Sequence, residues 1–258
     1  MWLNIKNNTK YGNWVPRSII YFFLFVFLIL ILPTLFPITF LLKVVLWIIA
    51  GIWIIPFAYM IYLYYYFSTQ NNIFQYKMWN FVIAHLQWNG KGKALEVGTG
   101  AGGLAIQIAK RFPESHMWGI DYWGKTWDYS KEQCEKNAIN EDVGNQIRFE
   151  KASASDLPYN DDEFDAIVSN FVYHEVRDTK DKIELIKESL RVLKKGGFFS
   201  LHDTFKNKRR YGDLEELLNH IKEWDVHQVN FIETTDEISM PSLIKSEFKK
   251  MGLIYGIK

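Results

Sequence analysis

The sequence predicts an α/β protein in which a doubly wound sheet follows a hairpin of two hydrophobic helices. Three observations lead there. From about residue 93 onward, short apolar runs alternate with helix-period segments, and such alternation implies a largely parallel sheet covered on both faces. A glycine-rich turn follows the first of these runs, as in open α/β folds that bind ligands at strand ends. Upstream there is no charged residue from Ser18 to Leu42 or from Val44 to Tyr76, so only Lys43 interrupts a tract long enough to cross a bilayer twice.

The hydrophobic tract comes first. Its spans are expected at about 19–36 and 44–67, each close to the ~20 residues that cross the hydrocarbon. Pro33 and Pro37 suit a tight turn between antiparallel helices, and Pro56 sits within the second span, where a kink is tolerable. Tyr11 and Trp14 before the first span, and Tyr59, Tyr62, Tyr64, Tyr65 and Tyr66 at the end of the second, match aromatic belts at headgroup depth. Lys6, Lys10 and Arg17 precede the first span, against Lys43 alone in the turn, which predicts a cytoplasmic N-terminus. Two spans then return the chain to that side, giving an integral membrane protein with both termini cytoplasmic. A cleaved signal peptide competes with this reading, but a second long apolar run follows at once. The division expected is an anchor over 1–70 and an α/β domain over 71–258.

Composition bounds the second part. The chain has 258 residues, 48% apolar and 17% aromatic, enough for one domain with a core plus an appendage. Residues 1–70 hold four basic residues and no acid, leaving 26 basic against 29 acidic residues beyond them. A slightly acidic domain is a poor general nucleic-acid binder, so no nucleic-acid partner is expected. Cys134 is the only cysteine, which excludes an intrachain disulfide and a multi-cysteine metal site. No dense Asp, Glu and His cluster marks a metal.

Apolar spacing predicts a helix over 74–86 leading into the domain. Lys93-Ala-Leu-Glu-Val97 reads as a strand, Gly98-Thr-Gly-Ala-Gly-Gly103 as a turn and 104–111 as a helix. Strands at 116–121, 147–151, 164–170 and 198–203 follow, with helices near 129–139 and 180–193. A helix at 214–224, a strand at 226–234, a helical insert near 242–251 and a strand at 253–257 complete the pattern.

The glycines let a backbone approach a ligand closely, and the helix N-terminus behind them favours polar or anionic groups. Gly98, Gly100 and Gly103 also satisfy the dinucleotide fingerprint G-x-G-x-x-G, with Asp121 standing where a ribose-binding acid would lie. An NAD(P)-dependent oxidoreductase is therefore a rival. Glu96 speaks for a different ligand: it puts a carboxylate just before the turn, where a dinucleotide-binding strand stays apolar, and it suits an ammonium group. Asp121 ends the next strand, and Asp156, in Ser153-Ala-Ser-Asp-Leu-Pro158, follows the third, where it can accept from an exocyclic amine. Singly each acid reads as a surface or capping group; together they stand at the ligand-binding ends of successive strands.

Glu96-Val-Gly-Thr-Gly-Ala-Gly-Gly103, Gly119-Ile-Asp121, Ala154-Ser-Asp-Leu-Pro158, Phe164-Asp-Ala-Ile-Val-Ser-Asn170 and Leu190-Arg-Val-Leu-Lys-Lys-Gly-Gly197 resemble the successive motifs of class I S-adenosylmethionine-dependent methyltransferases acting on small molecules and lipids. The resemblance spans roughly residues 75–258. It implies a seven-stranded Rossmann-like sheet with an antiparallel last strand, and S-adenosyl-L-methionine as cofactor. By the family pattern Glu96, Gly98, Gly100 and Gly102 hold the methionine part, Asp121 the ribose hydroxyls and Asp156 the adenine amine, while Asn170 lies beside the methionyl group. Tyr122 and Ser155, next to two of these acids, join the expected cofactor set.

Methyl transfer needs a nucleophile held in line, and a base only where the acceptor carries a proton. His174 is the candidate base, with an ordinary pKa of ~6.5; a loop-shaping role is the equal alternative. His202 and Asp203, which end the fifth strand, are expected to point into the same pocket or to cap a helix. Tyr122, Trp123 and Trp127 are candidate pocket walls or plain packing. Ser169-Asn-Phe-Val-Tyr-His174 is not the N-P-P-Y run of enzymes that methylate base amines in DNA, and one cysteine cannot serve arsenite methylation. Tethering beside a bilayer raises the local concentration of membrane-dissolved acceptors such as lipids or isoprenoid quinones. A non-catalytic membrane scaffold keeping the fold is the remaining alternative.

Overall fold

A computed structural model describes residues 9–70, 73–124 and 129–258. The chain divides into two compact units, one built from Tyr76–Gly124 and Tyr129–Lys258 with residues 9–11, the other from Gly12–Gln75.

In the smaller unit, helix α1 (Arg17–Ile31) passes through a 3-10 turn at Leu32–Leu35 into α2 (Phe40–Tyr66). The most apolar 18-residue stretches of Arg17–Leu35 and Phe40–Tyr66 have mean hydropathies of 2.7 and 2.4, and both helices are long and apolar enough to cross a membrane. Pro33 opens the 3-10 turn, and Thr34 Oγ1 donates to Ile31 O at 2.7 Å. The two helices meet through Phe23, whose ring stacks on Trp53 at 5.0 Å and whose carbonyl accepts from Trp53 Nε1 at 3.1 Å. Many of their large side chains, including Phe25, Ile52 and Ile55, are exposed. Lys43 lies inside the first turn of α2, with its N–H on Thr39 O, and not in the connecting turn the sequence suggested.

The larger unit begins with α3 (Phe74–His85) and continues β1 (Gly92–Val97), α4 (Gly103–Arg111), β2 (Ser115–Asp121), α5 (Lys131–Asn140), β3 (Ile147–Lys151), β4 (Phe164–Asn170), α6 (Ile183–Arg191), β5 (Leu193–Asp203), α7 (Lys208–Tyr211), α8 (Leu214–Lys222), β6 (Gln228–Glu233), α9 (Thr234–Glu237), α10 (Ser242–Phe248) and β7 (Gly252–Ile257). The seven strands run in the order β3-β2-β1-β4-β5-β7-β6, with β7 antiparallel to both neighbours. Order reverses between β1 and β4, and ligands of such sheets bind in the crevice at that switch point.

Helix starts follow local chemistry. Ser130 caps α5 by accepting from Gln133 N, and Asp213 caps α8, whose first turn carries Glu215 and Glu216. Burial of Leu95 and Val97 on β1, Ile167 on β4 and Phe199 and Leu201 on β5 forms the centre of the core. These strands are covered on both faces, which is why they read as near-continuous apolar runs. Ile167, wholly buried between β1 and β5, gives a direct check: Ile167→Ala is expected to cost ~2–5 kcal/mol, read as a lowered midpoint in denaturant with an unchanged slope.

Candidate functional site

The switch point is built around the glycine turn. Gly98, Gly100 and Gly102 all take positive φ, 77°, 57° and 83°, which a side chain would strain. Gly98 N and Thr99 N both donate to Ile120 O at 2.8 Å, pinning the turn to β2. A Cβ built on Gly98 would fall 2.1 Å from Val172 Cγ2, so the loop after β4 closes directly against this glycine.

Glu96 is buried at the base of the turn. Its Oε2 accepts from Thr99 Oγ1 at 2.6 Å and from Ala105 N at 2.9 Å. Ala105 is in the first turn of α4, so the carboxylate of one strand caps the helix that follows it. Burial is the main influence on Glu96 and pushes its pKa up to about 8, against the two hydrogen bonds, which lower it, with Asp121 adding repulsion. Asp121 is held as tightly: Oδ2 accepts from Gly100 N and Oδ1 from Trp123 N, each at 2.8 Å. Burial raises its pKa, with those backbone bonds opposing. No ion pair neutralises either carboxyl among the described residues. Two acids converging on a glycine turn, with no cation between them among the described residues, are a set of acceptors that fits a ligand carrying an ammonium group and hydroxyls.

Other expected residues are distributed differently. Asp156 is exposed on the turn after β3, bridged through its backbone to Ser153, and no bond ties it to the glycine turn among the described residues. That turn does adjoin Asp121, whose carbonyl accepts from Ala152 N at 3.1 Å. Ser155 gives its hydroxyl to Asp178 Oδ2 at 2.7 Å, so it braces the loop after β4. Tyr122 is 65% exposed, with Lys151 Nζ 5.0 Å from its ring centre, which makes it a surface residue at the rim, not a buried wall. Trp123 points inward, donating Nε1–H to Gly100 O at 2.8 Å. Trp127 lies outside the described residues.

At the ends of β4 and β5 two polar pairs stand side by side. His202 is fully buried, with Nδ1 2.8 Å from Asn170 Oδ1 and Nε2 2.8 Å from Thr234 Oγ1. Asn170 Oδ1 accepts, so Nδ1 carries the proton and Nε2 takes one from the threonine. Burial pushes the imidazole pKa down to about 3. Both ring nitrogens of His202 are therefore engaged; the sequence leaves it either pointing into the acceptor pocket or capping a helix, and the structure places it fully buried against Asn170 and Thr234. His174 and Asp203 form the other pair: Nδ1 lies 2.8 Å from Asp203 Oδ1, and the His174 N–H donates to Oδ2 at 3.2 Å. Asp203 is fully buried and also accepts from Thr204 N. Burial works against a charged imidazole, but Asp203 and then Glu175 outweigh it and raise the pKa of His174. Its Nε2 is 3.4 Å from Glu175 Oε1. The imidazole thus lies between two carboxylates, the buried Asp203 on Nδ1 and the more exposed Glu175 on Nε2, and a carboxylate on one ring nitrogen fixes the ring's orientation. Phe171, just before this loop, sits at φ 59°, a conformation that costs a non-glycine residue about 1–3 kcal/mol and clusters at functional sites.

Comparison with known proteins is consistent with this geometry. Residues 94–197 match the family model described as a methyltransferase domain. The chain superposes on the YcgJ protein of Bacillus subtilis with a TM-score of 0.51 at 19% identity, covering 71% of this chain and 98% of that one. The fold is that of class I methyltransferases. In sequence, the chain is 32% identical over 118 residues to the ubiquinone/menaquinone biosynthesis C-methyltransferase of Geotalea daltonii, covering 45% of this chain and 47% of that protein. It is 31% identical over 105 residues to the demethylmenaquinone methyltransferase of Deinococcus radiodurans, covering 41% and 40%. The chain thus spans about half the length of these curated relatives or less.

The methyltransferase fold explains why the acids stand where they do, since its ligand crevice opens at the β1/β4 switch point. It does not explain three residues that sequence patterns left unmarked: Thr99 on Glu96, Cys134 Sγ 3.2 Å from Gly100 O, and Asn137 on Ala101 O at 2.9 Å. Cys134 and Asn137 brace the turn from behind and only the folded chain brings them to it, while Thr99, within the turn, ties it to Glu96.

Proposed function

We propose that this protein is an S-adenosylmethionine-dependent methyltransferase acting on a small, membrane-associated acceptor of quinone-like or lipid character. The observation that carries it is the meeting of Glu96 and Asp121 on the glycine turn. In this reading Glu96 holds the ammonium of the cofactor, Asp121 the ribose hydroxyls through the lone pairs its backbone bonds leave free, and Asp156 the adenine amine. Gly98, Gly100 and Gly102 admit the cofactor closely, and Asn170, fixed by His202, borders the reacting end. S-adenosylmethionine supplies an electrophilic methyl group on a sulfonium. The protein's part is to hold the acceptor in line, to exclude water, and to remove a proton where the acceptor has one. His174 takes that proton on Nε2, and Asp203 orients the ring and stabilises its charged form. Histidine with a buried aspartate suits an acceptor whose hydroxyl or activated carbon loses its proton near neutral pH.

The hairpin of α1 and α2 inserts into a membrane, with Lys6, Lys10 and Arg17 keeping the N-terminus and the α/β unit on the cytoplasmic side. The quinone-pathway names of the relatives and the anchor point to one acceptor class, molecules dissolved in the bilayer. The test uses the full chain in detergent. Calorimetric titration with S-adenosylhomocysteine and, separately, NADH is expected to show binding of the first only; NADH binding alone would restore the oxidoreductase reading, and binding of neither the scaffold. Incubating the protein in native membranes with methyl-labelled cofactor should then label an organic-extractable product.

A further inference from the structure

Asn137, in the middle of α5, is wholly buried, a position where asparagine is a poor helix former and gains nothing from apolar packing. Its amide is saturated. Oδ1 accepts from Lys10 N and from Gln133 Nε2, both at 2.9 Å, and Nδ2 donates to Lys10 O and to Ala101 O, both at 2.9 Å. That is the full capacity of an amide side chain. Two of the four bonds grip both backbone polar groups of one residue, Lys10, in the N-terminal segment, and a third reaches a carbonyl of the glycine turn. The segment is anchored again one residue on. Tyr11 is 3% exposed, its hydroxyl donates to Glu141 Oε1 at 3.3 Å, and its ring packs edge-on to Trp79 with centroids 5.2 Å apart. Trp79 in turn backs the other end of the turn, since a Cβ on Gly103 would fall 2.2 Å from its ring.

We infer that the segment at residues 9–11 braces the cofactor site from behind, without contacting the cofactor, and that Asn137 is the positioning residue through which it sets the glycine turn. The inference rests on reading that turn as the S-adenosylmethionine cradle. A turn with three glycines at positive φ is costly to order, and its inward carbonyls are fixed by side chains behind it. Of these, Asn137 alone among the described residues is shared with the N-terminal segment. That segment leads in sequence straight into the first hydrophobic helix, so the chain that enters the membrane also orders the cofactor turn. Removing the N-terminal part of the protein would then weaken cofactor binding without touching any residue that contacts the cofactor.

The experiment is a double-mutant cycle on the full chain in detergent, with S-adenosylhomocysteine titrated calorimetrically. Asn137→Ala and Tyr11→Ala are each expected to raise its Kd roughly tenfold, about the worth of one net hydrogen bond, and the double variant to be no weaker than the weaker single. Turnover at saturating cofactor should stay within about twofold of the unaltered chain, which separates a loosened turn from damaged chemistry. In the unaltered protein, where folding is not in question, saturating S-adenosylhomocysteine should slow hydrogen exchange at the Lys10 amide, because coupling between two sites is reciprocal. Unchanged exchange there, additive losses, or single variants that bind as the unaltered chain does would overturn the inference while leaving the methyltransferase reading in place. Failure of the unaltered chain to bind at all would overturn both.

Discussion

Replacing His174 with alanine is expected to lower kcat by ~10²–10⁴-fold, the usual contribution of a positioned general base, and to leave cofactor affinity almost unchanged. The ring lies on the loop after β4, one strand away from Glu96 and the turn, and its partner is Asp203 of β5. Its protonation sets the pH profile. A base works when neutral, so kcat/KM should rise with pH and level off above the His174 pKa, which Asp203 and Glu175 hold above the ordinary ~6.5 despite burial. Asp203→Asn removes the charge; burial then dominates, and the rising limb should move to lower pH while the plateau falls. The same pair shapes stability. Histidine with a raised pKa stabilises the fold fully below its unfolded value of ~6.5, and that stability is lost as pH rises through the folded pKa. Asp203, whose pKa is lowered by His174 and by hydrogen bonds that together overcome burial, stabilises above ~3.9, and that is lost as pH falls through its folded pKa. Thermal melts across pH should therefore be highest between the two, and a His174→Ala chain should lack the decline on the alkaline side. A pH profile identical in the Asp203→Asn and unaltered proteins would exclude His174 as the base.

The sheet was legible because its pattern is written twice, in apolar runs and in the turns between them. Strands at 147–151 and 164–170 coincide with β3 and β4, and the others differ by a few residues at their ends. The largest discrepancy is β5, which starts at Leu193 where the sequence suggested helix up to that point and a strand only from Phe198. Lys194, Lys195, Gly196 and Gly197 carry no strand signal, and the pairing that makes them strand comes from Lys258 at the chain's other end, whose N–H and carbonyl bond Gly197 O and Gly196 N. Contacts across more than sixty residues leave no local trace. The short helices α7 and α9 escaped for the opposite reason, being single turns too brief to show a period.

Of the site, residue type and strand-end position were readable, but partners were not. Glu96 and Asp121 stand where the glycine pattern placed them, yet their capping of α4 and of Gly100 N could not be read from spacing. His174 and Asp203 are twenty-nine positions apart, and only the register that sets Asn170 opposite His202 brings their loops together. That same register buries His202: two histidines near strand ends read alike in sequence, and in the folded chain one ring pairs with Asp203 while the other is a saturated core residue. Asn137 carried no signal at all, since its partners Lys10 and Ala101 lie on unrelated segments.

Glu96→Gln should weaken S-adenosylmethionine binding by roughly 10–150-fold, the range lost with a charge-assisted hydrogen bond of about 1.5–3 kcal/mol, while the protein stays folded. Glutamine keeps an acceptor oxygen for Thr99 Oγ1 and Ala105 N, so the cap on α4 survives and only the charge goes. The pH dependence separates this from mere loss of fit. Burial holds the Glu96 carboxyl protonated up to about 8, and an ammonium beside it favours the carboxylate, so binding at neutral pH releases a proton. Affinity should then climb from pH 6 to about pH 8, where an amine of ordinary pKa ~7.7–8.0 begins to lose its own charge. The variant has no such proton to release and should bind with nearly constant affinity below that point. Stability moves the other way. An acid whose folded pKa lies above its unfolded value binds more protons folded than unfolded, so it costs stability as pH rises from about 4.5 to about 8. Glu96→Gln removes that cost, and its melting temperature should exceed that of the unaltered protein at pH 8 and match it at pH 4. A variant that binds as tightly as the unaltered chain at every pH would remove Glu96 from the cofactor site and leave it only as the cap of α4.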